Sequence, residues 1–304
     1  MNNMQSDNTQ IILSEILEPL RMAGDAVDIY FDRADDREIL SPFPPGGITG
    51  RPGKNETLPP EFFKGFGIHR LILDAPHGRL SVSEEDLKTI FENSRVVEFE
   101  NWSDVKDASQ IWDNLRRDII HPLRKRDVDF VFYLGDANNK LKFKVDEFLD
   151  IVCDFSGCGR VTMIMDERNV DDLLEMFYER ETGADISILP GLPEKSRTVF
   201  DLVNIEHLIA GSFSEAVFFY KQQQFEIKGP KGVDTSMIKR SRFSAGYMLG
   251  LLLQVDISHS IALGLAVAGL YTEIGNKPDT KNLIDFIEKW IGELESLTQI
   301  YSLK

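Results

Sequence analysis

Residues 242–253 read RFSAGYMLGLLL. The nine residues Ala245 to Leu253 are uninterrupted by any polar side chain, and a second apolar stretch, 257–274 (ISHSIALGLAVAGLYTEI), follows at once. A run of nine is far short of the ~20 residues a membrane span needs. Gln254, Asp256, Ser258 and His259 also interrupt the region at its centre. The pattern predicts two buried core helices, Ser241–Leu253 and Ser258–Ile274, with Ser241 as N-cap of the first. A closing helix, Lys281–Leu297, places Leu283, Ile284, Ile287, Ile291 and Leu294 on one face.

Working back from these helices, three short strands are expected at Glu206–Ala210, Ala216–Tyr220 and Phe225–Lys228, the last two joined by the polar Lys221–Gln224. Further upstream, short apolar runs alternate with amphipathic stretches. Strands are expected at His69–Leu73, Arg95–Phe99, Val128–Leu134 and Arg160–Met165, and helices at Ser83–Phe91, Val105–Ile120, Val145–Phe155 and Val170–Arg180. VDFVFYL (128–134) is apolar throughout, as in a sheet covered on both faces. This alternation predicts an α/β protein with a mainly parallel central sheet. Before residue 66 the text changes. A helix at 11–22, ended or kinked by Pro19, and a strand at 26–31 precede a loop over 41–60 with six prolines and four glycines. That loop is the best candidate boundary, dividing residues 1–65, an N-terminal extension or reduced lid, from an α/β domain over 66–304.

The 304 residues include 34 basic and 50 acidic side chains, for a net charge of −16. A field of that sign repels phosphate backbones and anionic lipid, so neither nucleic acid nor a membrane surface is an expected partner. The two cysteines, Cys153 and Cys158, read as buried thiols of a reduced, cytoplasmic protein. The N-terminal MNNMQSDNTQ lacks the order of a secretory signal. Five histidines lie far apart, without metal-ligand spacing, and His77 is placed in a turn. No Gly-x-Ser-x-Gly elbow, Walker loop or Gly-x-Gly-x-x-Gly occurs. Trp102 and Trp112 read as packing residues.

The last hundred residues resemble the C-terminal part of ribokinase-like, or pfkB-type, carbohydrate kinases. The resemblance rests on the strand pair Ala216–Lys228, on Phe243, Ala245, Gly246, Gly250 and Leu251 within 242–253, and on the alanine-rich helix and closing helix of 257–290. Weaker similarity reaches back to about residue 66 through ENWSDVKDASQIW and VDFVFYLGDAN. It implies a three-layer α/β/α ribokinase-like fold with a truncated or altered N-terminal lid. It also implies ATP and Mg²⁺ as cofactors, a small sugar or nucleoside as ligand, and a homodimer.

Such kinases carry Gly-Ala-Gly-Asp before the matched helix, where backbone N–H groups close on the transferring phosphate and the aspartate takes the hydroxyl proton. Here those positions are Ile238, Lys239, Arg240 and Ser241. Both glycines are replaced by bulky side chains, and a serine is no base near neutral pH without an activating partner. Lys239 and Arg240 are placed to bind phosphate as charged side chains, to plug the site, or to stand in solvent. By resemblance, the nucleotide side comprises Gly211, Ser212, Lys239, Arg240 and Gly246. The metal would fall to Asp166 and Glu167 after the strand VTMIM, and the sugar to Asp28, Gly46 and Gly47. The leading expectation is a degenerate homologue, non-catalytic or severely impaired, acting as a binding, regulatory or structural protein, with a protein partner among its possible ligands. The alternatives are an active ATP- and Mg²⁺-dependent carbohydrate or nucleoside kinase with relocated residues, and a nucleotide- or sugar-sensing module without turnover.

Overall fold

The computed structural model describes residues 2–26, 68–71, 84–104, 107–138, 140–179, 183, 185, 189–211, 215–230, 240–274 and 280–302. Seven strands form one sheet: β1 (Ile68–Leu71), β2 (Val96–Asn101), β3 (Asp129–Tyr133), β4 (Arg160–Asp166), β5 (His207–Gly211), β6 (Glu215–Tyr220) and β7 (Gln223–Lys228). They stand in chain order across the sheet. β1 to β5 are parallel, and β6 and β7 close one side as antiparallel strands. Of the strand expected at 26–31, Ala26 ends the first helix and the rest lies outside the described residues, as do the loop over 41–60 and His77.

Strand order dictates the layers. Parallel strands that follow one another in sequence, joined by right-handed crossovers, put every connecting helix on the same face. Accordingly α2 (Glu84–Asn93), α3 (Ala108–Asn114), α4 (Lys142–Phe155), α5 (Glu167–Leu173) and α6 (Leu192–Leu202) share one core with Phe99, Phe130 and Phe132. The opposite face is left for helices from the two ends of the chain. These are α1 (Asn2–Ala26), α7 (Arg240–Leu252), α8 (Ile257–Ile274) and α9 (Thr280–Ser302), packed on Val131, Tyr133 and Ile164. The alternation of Phe130 and Phe132 with Val131 and Tyr133 serves both cores from one strand, which is why that stretch reads as continuously apolar.

The first core is aromatic. Phe99 and Phe132 stack at 4.6 Å, Trp112 and Phe155 pack on Phe99 at 5.0 and 5.3 Å, and Trp102 lies on Phe148 while donating Nε1–H to Ser109 Oγ at 2.9 Å. Both tryptophans are packing residues. α3 and α5 each run on through a π-helical turn, Leu115–Ile120 and Leu174–Glu179. α6 has no counterpart in the sequence reading. It is bracketed by Pro190, Gly191 and Pro193, which look like loop punctuation, yet a proline in the first helical turn is preorganised for the helix and loses no hydrogen bond there.

α1 is longer than expected and continues through Pro19. Leu13, Ile16 and Leu20 are fully buried against the second core. Gln10–Glu295 (3.0 Å), Arg21–Glu288 (2.6 Å) and His259–Glu15 (2.8 Å) tie the helix to α9 and α8 on both sides of the proline. α8 is long and apolar enough to cross a membrane by length and composition, but 67% of it is buried inside the protein.

At the amino edge of the sheet, His207 is buried with its ring stacked on Tyr220 at 4.6 Å, and its Nδ1 lies 3.0 Å from Val161 O. Burial pushes the imidazole below its ordinary value of 6.5, only partly offset by the Val161 carbonyl and Glu206. The unfolded chain therefore takes up this proton first. The contribution is complete above pH ~6.5 and is lost as pH falls towards the native value. Urea unfolding between about pH 7 and 5 should show His207→Gln with a shallower loss of stability than the wild type. Parallel slopes would mean that His207 is not the group responsible.

Candidate functional site

The carboxyl ends of the parallel strands are where α/β folds present functional groups. β3 leaves the sheet through Leu134, Gly135 and Asp136, and this exit is fixed by Ser103. The Ser103 backbone N–H donates to Leu134 O at 3.1 Å, and its hydroxyl accepts from the Asp136 N–H at 2.8 Å. β4 ends at Asp166, whose Oδ1 accepts from Asn169 N–H at 2.9 Å and so caps α5. Asn169, buried, turns back across the edge and donates Nδ2–H to Gly135 O at 2.6 Å. β5 ends at Gly211, in register with Asp166 on the neighbouring strand. Two residues named from the sequence, Asp166 and Gly211, are thus brought side by side.

Around them gather groups the sequence reading did not name. Asp172, one turn into α5, is only 7% exposed, and its Oδ2 makes no hydrogen bond. Burial pushes this carboxyl up, against a hydrogen bond from the Asn138 side chain and the nearby Arg168 charge, which pull it down. Arg168 reaches Asp136 Oδ1 at 3.5 Å. The signal for this group was polar residues directly after apolar strands, in LGDAN (134–138) and DERN (166–169). Glu167 stands exposed in the first turn of α5. Among the described residues, no group of three or more His, Cys, Asp or Glu side chains is placed to hold a metal ion. Mg²⁺ commonly keeps several waters and takes one or two carboxylates. Asp166, which caps α5, and the exposed Glu167 fit an outer, water-mediated hold rather than a closed cage.

The second layer reaches this edge through α7. The helix begins at Arg240, so Ser241 sits at the second helical position rather than at the cap. One turn on, the buried Ser244 hydroxyl donates to Glu98 Oε1 of β2, a buried carboxylate in register with Arg70 of β1 and Val131 of β3. Tyr247 Oη lies 3.2 Å from Thr162 Oγ1 of β4, and burial holds the phenol above its ordinary value. α7 therefore crosses β2 to β4, with Arg240 and Ser241 at the carboxyl edge and its other end at the amino edge.

Gly246 is turned away from that edge into α8, where an added Cβ would lie 2.3 Å from Leu263 O. Gly250 meets Ser260 in the same way, at 2.5 Å. Ile238, Lys239, Ser212, Asp28, Gly46 and Gly47 lie outside the described residues.

A model described as prokaryotic ketohexokinase matches residues 72–290. Among solved structures, the chain is similar to a probable sugar kinase from Rhizobium etli CFN 42 (16% identity, TM-score 0.44, covering 63% of this chain and 53% of that one). It is similar to ribokinase from Thermotoga maritima (11%, 0.45, 68% and 62%). It is similar also to ribokinase from Arabidopsis thaliana complexed with ribose and ATP (14%, 0.47, 68% and 59%). The chain thus spans between 53% and 62% of the length of these structures. No curated protein matches.

Proposed function

Because the chain belongs to the prokaryotic ketohexokinase family, among the ribokinase-like carbohydrate kinases, we propose that it is a member impaired in phosphoryl transfer that serves as a binding or regulatory protein. The observation that carries this reading is the run Ile238-Lys239-Arg240-Ser241 before α7. Phosphoryl transfer of this type depends on backbone N–H groups approaching the phosphate and on a base for the attacking hydroxyl. Two bulky side chains stand where the approach needs glycine, and a serine stands where the base belongs. ATP, when bound, supplies the phosphoryl group, and its Mg²⁺ neutralises charge between the phosphates. Asp166 and Glu167 are the residues we assign to the metal's hydration shell, and Gly211 with Ser212 to the nucleotide side.

Sugar-dependent ADP release, followed with ketohexoses, aldoses and nucleosides as acceptors, should stay at background. Steady turnover that disappears in Ser241→Ala or Asp166→Asn would overturn the reading.

The family match favours a second reading, because it runs through the altered loop under the description of a ketohexokinase. On that reading the protein phosphorylates a ketohexose with ATP and Mg²⁺, using relocated residues. Its mark would be one acceptor in the same panel that supports turnover.

A further inference from the structure

The amino edge of the sheet, opposite the family's catalytic edge, holds an open cleft of about 1030 Å³. Its lining includes Arg95 and Arg126, on the segments that enter β2 and β3. Asp129 N–H donates to Arg95 O at 2.7 Å and Lys125 Nζ donates to Ser94 O at 2.6 Å, so the two segments lie side by side. Among the described residues, Arg126 donates to its neighbour's carbonyl alone, Lys125 O, at 3.0 Å. Arg95 faces the Gln254 carboxamide, which, turned with its oxygen towards the guanidinium, accepts from Nη1 at 2.6 Å and also from Nη2. Among the described residues, neither arginine meets a carboxylate within salt-bridge distance. In a chain of net charge −16, two guanidinium groups outside salt-bridge distance of a described carboxylate are conspicuous in a cleft whose lining also carries Asp129, Glu206 and Asp256. Arg160, by contrast, is paired with Asp129.

The other lining groups are of a different kind. Glu206 and Asp256 are carboxylates that accept hydrogen bonds from hydroxyl groups. Phe218, Phe225 and Leu251 add apolar surface to the lining. Two guanidinium forks suit the three terminal oxygens of a phosphate monoester, and carboxylates beside apolar side chains suit a polyhydroxylated body.

We propose that this cleft is a binding site for a phosphorylated sugar, with the phosphate on Arg95 and Arg126 in place of the Gln254 carboxamide. The site is separate from the carboxyl edge, and the proposal does not depend on whether phosphoryl transfer survives there.

The test is titration calorimetry on the full chain with fructose 1-phosphate, inorganic phosphate and fructose as separate probes. Fructose 1-phosphate should bind more tightly than either of the others. Arg126→Ala and Arg95→Gln should each weaken it by ~10-fold or more, the usual loss for a charge-assisted contact. Arg21→Ala removes the same charge from the α1–α9 pair, and Asp166→Asn alters the carboxyl edge, so both should leave the affinity unchanged. Arg126 is exposed, so its variant is not expected to disturb the fold. Three results would overturn the proposal: no heat at millimolar fructose 1-phosphate, binding indifferent to both arginine variants, or binding lost in Asp166→Asn instead.

Discussion

Gly246→Ala should destabilise the protein by about 3 kcal/mol, whereas Gly292→Ala should stabilise it by about 0.5–1 kcal/mol. Both glycines lie inside helices, where alanine is intrinsically the better residue by about 1 kcal/mol. They differ in what a methyl group would meet. At Gly292 nothing lies within 4 Å. At Gly246 the new Cβ would stand 2.3 Å from Leu263 O, 2.7 Å from Leu263 C and 2.8 Å from Gly264 Cα. All three are backbone atoms of α8, so no side chain can swing aside and the helices must part. That parting would also loosen Phe243, whose ring fills the space beside Gly264. Overpacking therefore outweighs propensity, and the melting temperature should fall by ~5–10 °C. Chemical denaturation of the two variants beside the wild type makes the comparison. Equal shifts in the two variants would mean that α7 and α8 are not in this close contact.

The second large effect concerns the loop before α7. The quadruple substitution Ile238→Gly, Lys239→Ala, Arg240→Gly and Ser241→Asp restores the residue types that the chemistry requires. If loss of the base and of the close-approach glycines is what impairs transfer, ketohexose-dependent ADP release should rise by ~10²-fold or more, since a positioned base alone is generally worth ~10²–10⁴. Ser241→Asp alone should give less, because Ile238 and Arg240 still stand where the phosphate must approach. A melting curve checks that the substituted chain remains folded. Turnover that stays at background in a folded quadruple variant would place the impairment outside the loop. A decrease from a measurable wild-type rate would favour the second reading.

Much of the architecture was legible in the sequence because burial on both faces leaves a plain signal. VDFVFYL, RVTMIM and AVFFY became β3, β4 and β6 with only small changes at their ends. The helices α4, α8 and α9 likewise fall close to where apolar periodicity put them. α6 was not legible, since its start is written in prolines and a glycine that usually mark loops. Pro19 does not end the helix: tertiary contacts on both sides of it accompany α1 past a residue that local rules read as an end or a kink.

The resemblance in 242–253 has a physical basis of its own. Phe243, Gly246 and Gly250 match the family because two helices must pack closely there, a requirement independent of catalysis. By resemblance, the chemistry belongs to the four preceding positions, which here are Ile238, Lys239, Arg240 and Ser241.

By itself, the sequence determined the fold class and the mainly parallel character of the sheet, since each depends on local residue identity and short-range periodicity. The tertiary structure decided which residues meet. It set Asp166 beside Gly211, turned Asn169 onto Gly135, buried Glu98 under Ser244 and brought Arg95, Arg126 and Gln254 to one cleft. These partners are separated by between 31 and 159 positions in the chain. No local pattern encodes such a distance. It is fixed only when strand order and helix packing close the chain on itself.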